Sequence, residues 1–114
     1  MAVKILRQKP TAEEIKSMSE EFGTYIKLVV DLEKAIMTGG GELHADGEKE
    51  LISQGSAQKN LWGGGYDLLT KNVDYLALIN IRPQAGNPGM ELVDQSTRQK
   101  FLEVVRMYFD VDSN

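Results

Sequence analysis

Residues 60–83 read NLWGGGYDLLTKNVDYLALINIRP, and the fold follows from how this stretch is read. It has the form of a β-hairpin. One arm runs from Asn60 to Leu69, Thr70-Lys71-Asn72 makes the turn, and a second arm runs from Val73 to Arg82. Pro83 stops the second arm because proline has no N–H to give a ladder. Alternation puts Tyr75, Ala77, Ile79 and Ile81 on one face. Leu76 and Leu78 fall on the other face, which turns polar at Asn80 and Arg82. A strand this apolar belongs inside a sheet, with its Ile79/Ile81 face serving the core.

Working outward, residues 24–34 alternate in the same way. Ile26, Leu28, Val30 and Leu32 take one side; Lys27, Val29, Asp31 and Glu33 take the other. Residues 33–38 stay open between a continued strand and a helical turn. Gly39-Gly40-Gly41 reads as a turn or a close backbone approach. In residues 42–46, ELHAD, a strand reading sets Glu42, His44 and Asp46 on one face. Residues 47–54 are either a short helix capped by Asp46 or more strand.

Both ends are clearer. Residues 2–7 suggest a short strand. Thr11-Ala12-Glu13-Glu14 is a capping box that opens a helix with an Ile15, Met18, Phe22 stripe, closed by Gly23. Ser96-Thr97-Arg98-Gln99 is a second such box. Phe101, Val104, Val105, Tyr108 and Phe109 follow at helical spacing, and residues 110–114 should fray. The expected fold is a single α+β domain over residues 1–114. It is an antiparallel meander of four or five strands, with a short N-terminal helix and a longer C-terminal helix packed on one face. The Ile26/Leu28/Val30/Leu32 face is the natural partner of the C-terminal helix.

Composition narrows the function classes. The chain has 114 residues, 41% of them hydrophobic and 26% charged, as in ordinary globular domains. Thirteen basic against 17 acidic side chains give a net charge of −4. That balance supplies no drive toward nucleic acid or an anionic membrane. With no cysteine, disulfides, thiolate metal sites and cysteine nucleophiles are excluded. No run approaches the roughly 20 apolar residues of a membrane span, and a cytoplasmic location is the expectation.

If one sheet face packs on helices, the other collects Lys27, Asp31, Glu33, Glu42, His44, Asp46, Asn80 and Arg82. His44, Asp46 and Asp31 form a candidate catalytic set, in which a carboxylate orients a neutral imidazole that serves as a base or metal ligand. No cofactor is evident, though such a set suits a divalent metal. Arg82, Asn80 and Trp62 are candidate ligand-binding residues, with Arg82 suited to a small anionic ligand. The simpler reading is that these groups are the solvated side of a sheet, with Arg82 paired to Asp31 or Glu33 and Trp62 filling the core. Gly63-Gly64-Gly65 is not a phosphate loop, since no Lys-Ser/Thr and no helix start follow.

GGGELHADGE, LWGGGYD and LINIRP with Gly86-Asn87 resemble a family of small bacterial and archaeal proteins known only as a domain of unknown function. The likeness runs from about residue 3 to residue 109. It implies a free-standing protein and supplies no activity. Relatives often carry Cys where Gly47 stands, so no thiol-based role is implied here. Three functional expectations stand beside this likeness. One is a non-enzymatic binding or interaction module, as a homodimer with Trp62 and Tyr66 as anchors. Another is a metal-assisted hydrolase or lyase built on His44, Asp46 and Asp31, with Arg82 on an anionic substrate group. A regulatory partner protein is a third class.

Overall fold

The computed structural model describes residues 3–112. Ala2, in the expected first strand, and Ser113 and Asn114, in the expected frayed tail, lie outside the described residues. The strands are β1 (Lys4–Leu6), β2 (Tyr25–Asp31), β3 (Ile36–Gly39), β4 (Leu61–Asp67) and β5 (Val73–Asp74). The helices are α1 (Ala12–Met18), α2 (His44–Ser53) and α3 (Gln95–Tyr108). The strands form one antiparallel sheet in the order β1-β3-β2-β4-β5. This is the expected α+β architecture, with α1 and α2 inserted between strands so that sequence neighbours are not always sheet neighbours.

The face holding Ile26, Leu28 and Val30 is the larger core. It takes up Trp62 and Tyr66 from β4 and Phe101, Val104, Val105 and Tyr108 from α3. Asp94 caps α3, accepting the Thr97 N–H at 2.9 Å and the Thr97 hydroxyl at 2.8 Å. The helix therefore starts before the Ser96 box expected from the sequence, because a carboxylate is a strong acceptor at a helix start. Its last turn is pinned by the Tyr108 hydroxyl, which donates to the Ala35 carbonyl at 2.7 Å. Beyond it, Asp110 and Asp112 are both bonded to Lys71. Lys71 pairs with Asp110 at 2.8 Å, and the Asp112 N–H reaches the Lys71 carbonyl at 2.9 Å.

The opposite face is not a solvated surface. Val29, Leu51 and Leu61 form a second core there, with Ile5, Ile36 and Ile79 packed against it. Its cover is α2, the region left open at 47–54, and α2 begins early enough to include His44 and Asp46. The strand expected over 42–46 is thus a helix start. His44, Gly47 and Leu51 are spaced by three and four residues, and Gly47 and Leu51 are buried against the sheet. Gly47 makes this approach possible, since a Cβ there would collide with the Thr38 hydroxyl and touch Val29. A Cys at this position would require Thr38 to move or shrink.

Two further expectations change. Helix α1 stops at Met18, and residues up to Gly23 turn back toward β2, with Gly23 at φ +72°. Residues 31–36 make a tight β2–β3 turn, with Ala35 at φ +55° and its N–H on the Asp31 carbonyl at 3.0 Å.

The hairpin arm at 73–82 is the largest departure. Only Val73–Asp74 pair as strand; residues 78–80 and 83–85 form short 3-10 turns. Asp74 is where the ladder ends. Its carboxylate accepts the Leu76 N–H at 3.1 Å and the Tyr25 hydroxyl at 2.8 Å, turning the chain away from β4. Leu76, Leu78 and Ile81 are consequently 47%, 67% and 44% exposed. Among the described residues no helix is long and apolar enough to cross a membrane.

Candidate functional site

The three glycines of β4 lie in regular strand and serve as landing places for other groups. A Cβ on Gly63 would sit 2.5 Å from the Ala77 Cβ and 3.1 Å from His44 Cδ2. One on Gly64 would meet the Asp74 carbonyl and Phe101, and one on Gly65 would meet the Tyr25 ring. The glycines thus let the Tyr25 ring, the His44 imidazole and the 75–80 segment come down onto the strand.

A cavity of about 330 Å³ opens there, between β2, the first turn of α2 and residues 76–79. Leu43, Leu76, Leu78, Ile79 and Met90 make its apolar walls, and Tyr25, Lys27 and His44 supply its polar groups. This is near the lower end of the range for small-ligand sites, and its make-up is typical of them.

His44 is held in a defined state. Nε2 lies 2.6 Å from the Gly64 carbonyl. A carbonyl oxygen only accepts, so Nε2 carries the proton and Nδ1 is the nitrogen left with a lone pair. Burial lowers the imidazole's proton affinity, opposed by the Gly64 bond and Asp74 and reinforced by the Lys27 charge. The ring is therefore neutral at pH 7, with a fixed tautomer and no protein partner for Nδ1 among the described residues. Lys27 rests its ammonium over the Phe22 ring, 5.1 Å from the centroid. None of the ion pairs among the described residues involves it. Tyr25 commits its hydroxyl to Asp74; burial first, then that carboxylate, push its ionisation well above the usual phenol range.

The expected catalytic set is not assembled. His44 and Asp46 are two apart on a helix, which turns them to different sides. The Asp46 carboxylate accepts the Leu43 N–H at 3.2 Å, closing the first turn of α2. Asp31 is buried, and both of its oxygens are in use. One takes the Glu33 and Lys34 N–H groups at 2.9 Å each, and the other takes the Ser56 hydroxyl at 2.6 Å. It pairs with Leu61, three residues along from Leu28 and its partner Gly64, roughly 10 Å down the strand from the His44 tether. Among the described residues no three His, Asp or Glu side chains are grouped to hold a metal ion.

The three expected ligand-binding residues are structural supports here. The Asn80 side chain is fully buried and bonded on every side by backbone. The Arg82 guanidinium lies 4.1 Å from the centre of the Trp62 ring rather than pairing with Asp31 or Glu33. It donates to the Ile79 carbonyl at 3.1 Å and also to the Leu61 carbonyl. Trp62 is 8% exposed and belongs to the main core.

Residues 4–108 match the family model described as protein of unknown function (DUF5674). The chain belongs to that family. No curated protein matches it, and no solved structure matches it. The DUF5674 model takes in every strand and helix described above, including each cavity residue, so the site lies wholly within the family domain.

Two residues central to the cavity were not singled out by sequence reasoning. Alternation assigns Lys27 to a polar strand face, and Tyr25 carries no signal of its own. The usable signal was the 44/47/51 helical spacing. It places a helix over the Lys27/Val29 face and brings His44 above β4.

Proposed function

We propose that this protein is a small binding module whose cavity takes a small organic anion with an apolar body. One observation carries the reading: an apolar cavity is lined by Lys27, whose ammonium, over the Phe22 ring, has no carboxylate partner among the described residues. An anion seated there gains a charge-assisted contact in partly desolvated surroundings, and its hydrocarbon part replaces water on Leu76, Leu78 and Met90. The first turn of α2 adds the favourable end of a helix dipole beside His44. Arg82, whose guanidinium is spent on Trp62 and two carbonyls, is not part of this reading.

Chemical-shift mapping with hexanoate, hexanol and hexylammonium tests it. Hexanoate is expected to move the amide signals of Lys27, His44, Ala45 and residues 76–79. Hexanol should act more weakly and hexylammonium least. Equal responses to all three, or shifts elsewhere on the surface, would contradict it.

A second reading, a homodimer, is supported by the cavity rim. Leu43, Leu76, Leu78 and Met90 are 58%, 47%, 67% and 44% exposed and lie around one opening. Apolar clusters of this kind mark contact surfaces. Sedimentation velocity across a hundredfold concentration range decides it. A concentration-dependent shift to the dimer that Leu78→Ser removes supports the reading, and a constant monomer refutes it.

A further inference from the structure

We infer that the cavity is a proton-transfer site for short 2-oxo acids, with His44 as the base and Lys27 as the group that stabilises the enolate. The inference rests on the anion-binding reading above and adds a reaction to it. Its basis is geometric: one imidazole nitrogen is tethered to a backbone carbonyl, the other has no protein partner among the described residues, and the same small cavity is lined by Lys27, whose ammonium lies over the Phe22 ring and outside the ion pairs of the described residues.

The ligand class follows from what a neutral imidazole can deprotonate. A hydrogen beside a simple carboxylate is far too weakly acidic. A hydrogen beside a ketone is within reach when the developing oxyanion meets a cation in a water-poor site. In a 2-oxo acid the carboxylate and the ketone oxygen are adjacent, so one ammonium can face both. The hydrocarbon remainder then lies along Leu76, Leu78 and Met90.

The step balances without any further reagent. The C3–H bond of the 2-oxo acid breaks, and its proton goes to His44 Nδ1. The C–H electron pair forms the C2–C3 double bond, and the ketone π pair moves onto oxygen beside Lys27. The imidazolium keeps its Nε2–H on the Gly64 carbonyl, which also stabilises the new positive charge. In D2O the Nδ1 proton exchanges with solvent while the enolate is held, and return of a deuteron from Nδ1 to C3 restores the ketone, so the visible outcome is exchange of the C3 hydrogens.

Binding and base strength are coupled in the useful direction. Burial first, and Lys27 to a smaller degree, disfavour protonation of His44 in the free protein, against the Gly64 bond and the Asp74 charge. A bound anion offsets the Lys27 charge and makes the imidazole a better proton acceptor only when a substrate is present.

The test is proton NMR of 2-oxohexanoate in D2O, following loss of the C3–H signal, with hexanoate binding measured on the same wild-type sample. The wild-type protein is expected to exchange these hydrogens at least tenfold faster than buffer. The rate should rise with pH through one ionisation in the acidic range and then level off. His44→Gln and Lys27→Met should fall to the buffer rate. The pH profile keeps the test decisive even if a variant folds poorly. Exchange no faster than buffer, a rate that climbs tenfold per pH unit without levelling, or full exchange in folded His44→Gln would each overturn the inference. If hexanoate binds but exchange is absent, the proton-transfer step is wrong and the binding module stands; if neither occurs, both readings fail.

Discussion

The Asn80 side chain pairs with Gly63 as a neighbouring strand would. Its amide oxygen accepts the Gly63 N–H at 2.8 Å, and its amide nitrogen donates to the Gly63 carbonyl at 3.0 Å. The same nitrogen reaches the Tyr75 and Met90 carbonyls at 3.1 and 3.0 Å. β5 ends at Asp74, so one carboxamide completes the pairing of β4 and fixes the loop that walls the cavity. Asn80→Ala removes the side-chain partner of the buried Gly63 N–H and carbonyl and one of two partners of the Tyr75 and Met90 carbonyls. A loss of about 3 kcal/mol is expected in urea unfolding. Asn80→Asp should do at least as badly at pH 7, because it replaces the donor by a charge facing carbonyl oxygens. A variant within 1 kcal/mol of wild type would contradict the role.

Arg82 and Trp62 form a stacked pair whose effect is on stability. Arg82→Ala removes the stack and the guanidinium bonds to the Leu61 and Ile79 carbonyls. A loss of about 1–3 kcal/mol is expected. Trp62 fluorescence should shift to the red as the ring gains water, and Arg82→Lys should recover only part of the loss because an ammonium cannot lie flat on the indole.

Gly63 sets how closely His44 and Ala77 approach β4. Gly63→Ala places a methyl group in contact with both and should cost about 1–3 kcal/mol. The His44 ring resonances should move as well. Gly89→Ala is the control: among the described residues nothing lies within 4 Å of the added carbon, and its effect should stay within about 0.5 kcal/mol.

Stability should depend on pH through His44. Burial, first of all, holds its folded-state proton affinity below the ordinary value. The unfolded chain then binds the proton more readily than the folded one. The His44 contribution is complete above the unfolded value of about 6.5 and is lost as pH falls through the lower folded value. Wild type minus His44→Gln, measured by thermal unfolding from pH 8 to pH 4.5, isolates this from the carboxylates. The difference should be flat above pH 7 and turn against wild type below about pH 6.

These features show unevenly in the sequence. The Ile26/Leu28/Val30 alternation and the 101/104/105/108 spacing define the main core, because a long apolar period has one economical burial. The arm at 75–82 has an equally persuasive period and is not a strand. Its fate is decided by Asp74 and Asn80, two polar side chains whose partners, Tyr25 and Gly63, are far away in sequence. ELHADGEKELIS fits period 2 over its first five residues and a helix over its full length, and the short window hid the longer one. The two forms also give His44 different neighbours. As a strand, the segment groups His44 with Asp46. As a helix, it groups His44 with Gly64 and Lys27.

Lys27 carries the functional account, and isothermal titration of hexanoate into wild type and Lys27→Met, both verified as folded, tests it most directly. The account predicts saturable binding to wild type, with a dissociation constant on the order of 1 mM, and at least tenfold weaker binding to Lys27→Met, a difference of about 1.4 kcal/mol or more. Equal affinity for the two proteins, or no binding to wild type at millimolar protein, would contradict it.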